Sequence, residues 1–96
     1  MKLKEFYTDE SKWTKYTFYN MYGACCLMGA LTKCYPTSGH IGMDMRLDVE
    51  RKLQKAIIDR SIANGTGKIV DSIISWNDAS ERTFEEVKAL VEELDV

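Results

Sequence analysis

The longest periodic stretch of this chain, near residues 46–64, predicts an amphipathic helix. Its apolar residues lie within an arc of about 120° on a helical wheel, which is the width of a stripe that faces a protein core. The members of this first stripe are Met45, Val49, Leu53, Ala56, Ile57 and Ala63. Asn64 and Gly65 follow, and glycine is favoured where a helix ends. We therefore expect one long helix against which the rest of the 96 residues packs.

A second and narrower stripe on the same helix consists of Leu47, Ile58 and Ile62. The core of a single small domain needs only one apolar stripe from this helix, so something other than that core must bury the second stripe. Two interpretations remain open. Either the flanking segments wrap both sides of the helix, or the second stripe is a surface for a homo-oligomer or another partner.

The segment near residues 24–34 predicts a second helix at the centre of the fold. Its apolar residues recur at i, i+3, i+4 and i+7, as Leu27, Ala30, Leu31 and Cys34. Gly29 in its middle would let another element approach closely. Pro36 ends the helix, and the two glycines in residues 37–43 predict a loop.

Residues 83–94 predict the last helix. Thr83 and Glu86 have the spacing of a capping box, in which the hydroxyl accepts a hydrogen bond from the third backbone amide and the carboxylate accepts one from the cap amide. The predicted inner face consists of Phe84, Val87, Leu90, Val91 and Leu94.

Residues 13–19 predict a short β element, because they contain Trp, Thr, Tyr and Phe, which are enriched in strands. Residues 68–75 match a short helix better than a strand, although both remain open, and residues 76–80 predict a turn. The expected fold is a mostly α, α+β single domain over residues 1–96, with about three helices and one short β element.

The charge balance argues against partners that need a basic surface. The chain contains thirteen Lys and Arg residues and fifteen Asp and Glu residues, which gives a net charge of −2. Proteins that bind nucleic acids usually carry a basic surplus instead. The net charge of the whole chain conceals a basic long helix and an acidic last helix. A locally basic face is therefore still expected on the long helix. No apolar run reaches the roughly 18 residues of a membrane span, and the amino terminus lacks the apolar core of a signal peptide. We expect a cytoplasmic protein with no membrane contact.

The three cysteines, Cys25, Cys26 and Cys34, are expected to be buried free thiols. An odd number without a signal peptide argues against a disulfide framework. Together with His40 they match no standard zinc spacing, so neither a metal nor a cofactor is expected. Cys25 or Cys26, then His40, then Asn77 or Asp78 also follow the residue order of one class of thiol hydrolases, which leaves a cysteine-dependent hydrolase as the least favoured alternative.

Aromatic residues concentrate in the first third of the chain, and four of them lie within seven positions: Tyr16, Phe18, Tyr19 and Tyr22. They form either a small aromatic core over the helices or a contact surface for a protein or a nucleobase. Tyr and Trp are enriched at binding hot spots. We therefore take Tyr16, Phe18 and Tyr19 as candidate binding residues.

Two segments of the chain carry recognisable motifs. The first reads Gly23-Ala24-Cys25-Cys26-Leu27-Met28-Gly29-Ala30-Leu31. The second reads Ile74-Ser75-Trp76-Asn77-Asp78 and continues as Arg82-Thr83-Phe84-Glu85-Glu86-Val87. Together they resemble an uncharacterised family of small bacterial and phage proteins that pairs a Cys-x-x-Gly-Ala-Leu helix with a Trp-Asn-Asp…Arg-Thr-x-x-Glu-Val motif. The resemblance implies a shared fold and a phage origin but no mechanism. The doubled cysteine and the aromatic amino-terminal third depart from the usual pattern.

The second motif has two interpretations. In the structural one, Asn77 or Asp78 caps backbone amides and Trp76 folds over the preceding helix, while Arg82 pairs with Asp78. In the functional one, Trp76, Asn77, Asp78 and Arg82 line a pocket for a small ligand or a nucleotide.

These observations favour a non-enzymatic protein-interaction module, and in particular a phage accessory protein that binds and inhibits a host protein in the host cytoplasm. Small size, spare apolar and aromatic surface, and the lack of a recognised catalytic constellation motivate this expectation. The alternative is a small-ligand or nucleotide-binding domain built on the Trp-Asn-Asp turn.

Overall fold

The computed structural model describes residues 1–36, 39–63 and 72–96, and the side chains of residues 39–42 are outside that description. Five α-helices occur in this part of the chain, with a 3₁₀ turn at Glu10–Lys12. The helices are α1 (Leu3–Phe6), α2 (Leu27–Cys34), α3 (Gly39–Ala63), α4 (Ile73–Asp78) and α5 (Phe84–Leu94). All five contribute residues to one hydrophobic core, in which α2 packs against α1, α3 and α4.

Helix α2 confirms the prediction of a buried central helix, although it begins three residues later than expected. Cys26 is its N-cap residue, and the Cys26 sulfur accepts a hydrogen bond from the Gly29 amide at 3.4 Å. Leu27 and Leu31 are fully buried. The residue that precedes the cap, Cys25, accepts a hydrogen bond at its carbonyl from the buried Tyr7 hydroxyl, at 2.9 Å.

Helix α3 begins at Gly39, earlier than the predicted start near residue 46. The loop prediction is wrong for residues 39–43, which are helical, while residues 37 and 38 lie outside the described chain. A glycine inside a helix costs about 1 kcal/mol relative to alanine. This cost falls in the first turns of α3, and the remaining turns of the 25-residue helix offset it. The predicted helix stop at Asn64 and Gly65 also lies outside the described residues.

The first apolar stripe of α3 is confirmed at its centre and wrong at its ends. Val49, Leu53 and Ile57 are buried, whereas Met45 and Ala63 are exposed. At 1.5 Å per residue, α3 is about 37 Å long, while α2 and α5 are only about 12 and 16 Å long. The two ends of α3 therefore extend past the helices that cover its middle.

Helix α5 agrees with the sequence prediction in its bounds, its cap and its buried face. The Thr83 hydroxyl accepts a hydrogen bond from the Glu86 amide at 3.3 Å, and the Glu86 carboxylate accepts one from the Thr83 amide at 3.2 Å. Val87, Leu90 and Val91 are fully buried. Local capping and one apolar stripe thus suffice to specify this element.

Helices α1 and α4 are absent from the three-helix expectation. Helix α1 is a single turn whose Leu3 and Phe6 are buried, and it is held by a 2.9 Å hydrogen bond from the Lys4 amide to the Val96 carbonyl. Helix α4 contains the residues 76–78 that were expected to form a turn, so that prediction is wrong at those positions. The helical interpretation of residues 68–75 is confirmed at residues 73–75, while residues 68–71 lie outside the described chain. The single turn of α1 is too short for periodicity to reveal it.

The predicted β element at residues 13–19 is not supported. Two isolated bridges join Trp13 and Tyr19 to the same residue, Cys25, and they do not extend into a ladder. Between them Tyr16 has a left-handed backbone with a φ of 68°, which interrupts an extended chain. The fold of the described residues is therefore helical, with an irregular but well-anchored connection between the 3₁₀ turn and α2.

Candidate functional site

The carboxamide of Asn77, in the last turn of α4, lies at the centre of a buried hydrogen-bond network. Its Oδ1 accepts from the Trp13 indole Nε1 at 2.7 Å and from the Leu27 amide at 3.2 Å. Its Nδ2 donates to the Thr14 carbonyl at 3.1 Å and to the Asp78 carboxylate at 2.9 Å. A carboxamide has two acceptor and two donor positions, and all four are used here. We call these five residues the Asn77 network.

The Asn77 network connects three separate parts of the chain. It joins the end of α4, the first residue of α2, the indole of Trp13 and the backbone of Thr14. Asn77 is fully buried and the hydrogen bonds that it makes are buried or partly buried, so removal of this side chain would leave its partners poorly satisfied. The network therefore fixes how the amino-terminal connection sits on the helices.

Asp78 and Lys15 extend this attachment to the surface. The Asp78 carboxylate accepts a hydrogen bond from the Tyr16 amide at 3.0 Å. The Lys15 Nζ donates to the Ala79 carbonyl at 2.7 Å, just beyond the end of α4. These contacts support the left-handed backbone of Tyr16, which points its side chain outward.

A close backbone approach holds the next part of the connection against α2. The Cys26 amide donates to the Phe18 carbonyl at 3.2 Å. A Cβ built on Gly29 would lie 2.1 Å from that carbonyl oxygen, so only glycine fits at this position. The prediction that Gly29 admits another element is confirmed, and the element is the backbone of Phe18.

A tight turn closes the far end of the connection. The Asn20 side chain accepts hydrogen bonds from the Tyr22 amide at 2.9 Å and from the Ala24 amide at 3.0 Å. Gly23 follows with a φ of 83°, a conformation that side chains rarely adopt. The chain between Tyr16 and Ala24 is thus attached at both ends and at Phe18.

The large side chains of residues 16–22, unlike Trp13 before them, point away from the core. They are exposed by between 44% and 87% and consist of Tyr16, Phe18, Tyr19, Met21 and Tyr22. We call residues 16–22 the aromatic segment. The interpretation as an aromatic core over the helices is not supported, because a core would bury these rings. Met21 and Tyr22, the most exposed of the five, were absent from the candidate binding residues, although the clustering of Tyr22 with the others was a usable signal.

Trp76 and Arg82 form a compact pair next to the network. Trp76 is buried, and the Arg82 guanidinium carbon lies 3.9 Å from the centroid of its ring. Arg82 Nε donates to the Trp76 carbonyl at 2.9 Å, and Nη1 bonds Glu86 at 2.6 Å. Arg82 was expected to pair with Asp78, and it pairs with Glu86 instead. Asp78 is engaged with Asn77 and Tyr16.

The structure joins the two sets of predicted binding residues at one point, the hydrogen bond from Tyr16 to Asp78. Two shallow clefts, of about 360 and 390 Å³, lie elsewhere. The first is lined by residues of α2, α3 and α4 such as Met28, Glu50 and Ile73, and the second lies between α3 and α5. The predicted binding residues line neither cleft.

The cysteines are buried free thiols, as the sequence predicted. Burial raises the pKa of the Cys25, Cys26 and Cys34 thiols above their ordinary value. A nucleophilic cysteine needs the opposite shift, so this geometry lends no support to the hydrolase alternative. Within the described residues no cluster of three or more His, Cys, Asp or Glu side chains is placed to hold a metal. The His40 side chain lies outside that description.

Among the described residues, no helix is both long enough and apolar enough to cross a bilayer.

Comparison with known proteins gives one positive result. No curated protein and no solved structure matches the chain. A family model described as "Family of unknown function (DUF6197)" matches residues 7–94, a span that contains the Asn77 network and the aromatic segment. The chain therefore belongs to this family of unknown function, which confirms the membership of an uncharacterised family that its sequence motifs predicted.

Proposed function

We propose that the protein is a non-enzymatic protein-interaction module and that the aromatic segment is its binding surface. One observation carries the proposal. Five large apolar or aromatic side chains are exposed within seven consecutive residues, on a backbone that is attached to the core. Single exposed apolar residues are ordinary, but a contiguous patch of this kind marks an interaction site.

Because its backbone is attached to the core, the aromatic segment is better suited to binding than a flexible surface loop would be. Ordering a flexible loop on association costs free energy, and a segment that is already ordered avoids most of that cost. The Tyr16 amide, the Phe18 carbonyl and the Asn20 side chain are each engaged before any partner arrives. The aromatic segment is therefore preorganised for contact.

The chemistry of the segment favours a protein partner. Tyrosine and methionine present large contact areas, and tyrosine adds a hydroxyl for a hydrogen bond at the rim. Residues 16–22 contain no charged side chain, so they suit the uncharged centre of a protein interface.

The rival proposal, a small-ligand or nucleotide pocket at Trp76, Asn77, Asp78 and Arg82, is less well supported. Asn77 uses all four of its hydrogen-bonding positions within the protein. Trp76 is buried, and one face of its ring is covered by Arg82. A ligand would have to break these contacts before it could replace them.

The test compares two double variants of the full chain. Met21→Ser/Tyr22→Ser removes the two most exposed side chains of the aromatic segment, while Met45→Ser/Ile74→Ser removes exposed apolar surface elsewhere. Each protein is used as bait in lysate of its source cells, with chemical cross-linking and quantitative mass spectrometry. We expect a defined partner that the wild type and the second variant capture and the first variant loses at least tenfold.

Two results would count against the proposal. Equal capture by both variants would place the interface outside the aromatic segment. A small molecule retained by the wild-type protein in native mass spectrometry, with no protein partner, would favour the pocket at the Trp-Asn-Asp motif.

The finer part of the proposal is that the partner is a host protein which this chain, as a phage accessory protein, inhibits in the cytoplasm. Three free buried cysteines suit a reducing compartment. Once a partner is identified, its activity in the presence of the wild-type protein and of Met21→Ser/Tyr22→Ser distinguishes inhibition from simple binding.

A further inference from the structure

The aromatic segment ends in a tight turn, and we call the two central residues of that turn, Met21 and Tyr22, the tip. The Gly23 amide donates to the Asn20 carbonyl at 3.2 Å, as in a β-turn. Asparagine at the first position of a turn and glycine at the fourth are typical of this geometry. The Asn20 side chain also accepts from the Tyr22 amide, at 2.9 Å. The sequence thus holds the tip in place through contacts between close neighbours.

The tip stands clear of the body of the protein. Met21 and Tyr22 are 87% and 84% exposed, whereas Phe18 and Tyr19, which precede the turn, are 44% and 49% exposed. A side chain with as little cover as the tip has is open to solvent on nearly every side. A flat partner surface can cover only the side that faces it, so a partner that buries the tip has to surround it.

We infer that the partner of the aromatic segment is a folded protein with an apolar pocket that receives the side chains of Met21 and Tyr22. This inference rests on the proposed function and specifies the partner's side of the contact. Neither of the two clefts in this chain is lined by a residue of the aromatic segment, so the pocket belongs to the partner. An extended peptide has no pocket to offer, whereas folded proteins carry pockets that are lined mainly by apolar side chains.

The exposed area of the aromatic segment agrees with a contact of this kind. An aromatic side chain offers roughly 200 Å², so four of them and a methionine, exposed by between 44% and 87%, present on the order of 700 Å². A stable protein–protein interface of standard size buries about 800 Å² on each partner. The segment supplies most of that area by itself, but only when the partner contacts the tip from more than one side.

Both side chains of the tip suit an apolar pocket. Methionine is flexible and polarizable, and it fills irregular apolar gaps. A tyrosine ring buries a large area at a low cost in conformational entropy, because only two torsion angles become fixed. Residues 16–22 contain no charged side chain, so no unpaired charge enters the pocket with the tip.

Truncation of single side chains tests where the contact is centred. The probe is the protein that the wild-type chain captures from lysate, purified and titrated by calorimetry. Met21→Ala and Tyr22→Ala should each weaken binding at least about 30-fold, as expected at the centre of an interface. Tyr16→Asn is the matched control, because Tyr16 is 74% exposed but lies outside the turn, and asparagine tolerates its left-handed backbone. We expect this control to weaken binding less than about fivefold.

The accessibility of the bound tip distinguishes a pocket from a flat surface. Met21→Cys places a thiol at the tip and Tyr16→Cys places one outside the turn, while the native cysteines are buried. Each variant is treated with N-ethylmaleimide, with and without a saturating concentration of the partner, and mass spectrometry follows the modification of the introduced thiol. We expect the partner to slow this modification at least about tenfold in Met21→Cys and less than about threefold in Tyr16→Cys.

Two outcomes would overturn the inference and leave the proposed function intact. In the first, the partner binds, but the thiol of Met21→Cys reacts as fast in the complex as in the free protein. In the second, Tyr16→Asn weakens binding as much as Tyr22→Ala does. If the wild-type chain captures no protein partner at all, the inference and the proposed function both fail.

Discussion

The connection that leads into α2 and the carboxy-terminal helix α5 are both well ordered, but for different reasons. Helix α5 carries two signals that can be read from neighbours in sequence, namely the Thr83–Glu86 capping box and an apolar stripe, and the stripe is buried against α1 and α3. The connection at residues 13–26 has no regular element to support it. It is held by Asn77 and Asp78, which lie more than 50 residues away from most of their partners.

This difference has a functional consequence. A helix must point one side of its surface at the core, so α5 buries its large apolar residues. Tyr16 and Phe18 are held through their backbone, which leaves their side chains free to point outward. The Asn77 network therefore allows the protein to display aromatic residues that a regular element of the same composition would bury.

We expect the largest loss of stability when the side chain of Asn77 is removed. We expect Asn77→Ala to lower the free energy of unfolding by about 3–5 kcal/mol, because the Trp13 indole, the Leu27 amide and the Thr14 carbonyl each lose a buried partner. Urea denaturation followed by circular dichroism measures the change. Glu85→Ala, an exposed position on α5, serves as the control and should change stability by less than about 0.5 kcal/mol. A loss below about 1 kcal/mol for Asn77→Ala would contradict the role assigned to the network.

A smaller effect is expected where the connection touches α2. Gly29→Ala adds a methyl group 2.1 Å from the Phe18 carbonyl oxygen, and we expect a loss of about 2–3 kcal/mol despite the better helix propensity of alanine. Thermal unfolding measures it, and Trp13 fluorescence reports whether the connection has moved.

Gly23→Ala provides the matched comparison for that variant. Gly23 has no neighbour within 4 Å of the added Cβ but has a positive φ. It should cost only about 1–2 kcal/mol from backbone strain. If Gly23→Ala proved the more destabilising of the two, the close approach at Phe18 would not be the constraint.

The local cap of α5 should contribute less than the long-range network. Thr83→Ala removes the hydroxyl that accepts from the Glu86 amide, and caps of this kind contribute about 1 kcal/mol. Denaturant titration measures the loss, and Thr83→Ser, which keeps the hydroxyl, should restore most of it. A loss as large as that of Asn77→Ala would remove the distinction between local and long-range stabilisation.

The smallest effect concerns the ion pairs that tie α1 to the carboxy terminus. Hydrogen bonds from Lys4 and then Lys2 hold the pKa of Asp95 below its ordinary value. A carboxylate with a lowered pKa stabilises the fold above its unfolded pKa and loses that contribution as the pH falls through the lowered value. Asp95→Asn, which tolerates the left-handed backbone at this position, should lower the melting temperature slightly at pH 7 and not at all near pH 2. An equal difference at both pH values would exclude the ion pairs as its cause.

The elements that sequence reasoning identified are those whose signals are local. The core stripe of α3 appears at Val49, Leu53 and Ile57, and α5 begins at its predicted cap. The single-turn helix α1 was missed because it contains too few residues to show a period, whereas α4 was anticipated in its first half, at residues 73–75, and missed at residues 76–78. The strand prediction at residues 13–19 is wrong because composition reports a preference for extended backbone and says nothing about whether a partner strand exists.

Part of the candidate site was also visible in the sequence. The aromatic cluster and the Trp-Asn-Asp motif are both visible in the sequence, and the chain belongs to a family of unknown function whose model matches residues 7–94. Nothing in the sequence indicated that Asn77 bonds Trp13, Thr14 and Leu27, since these residues become neighbours only after α2 and α4 have packed.

The sequence alone determined the helical core, the capping of α5, the free thiols and the family, because periodicity, cap chemistry and motif spacing act between residues close in the chain. The tertiary structure decided that residues 16–22 are displayed rather than buried. That outcome depends on a buried carboxamide with four partners and on one glycine that admits a backbone carbonyl. Such contacts join residues far apart in sequence, so no local pattern records them.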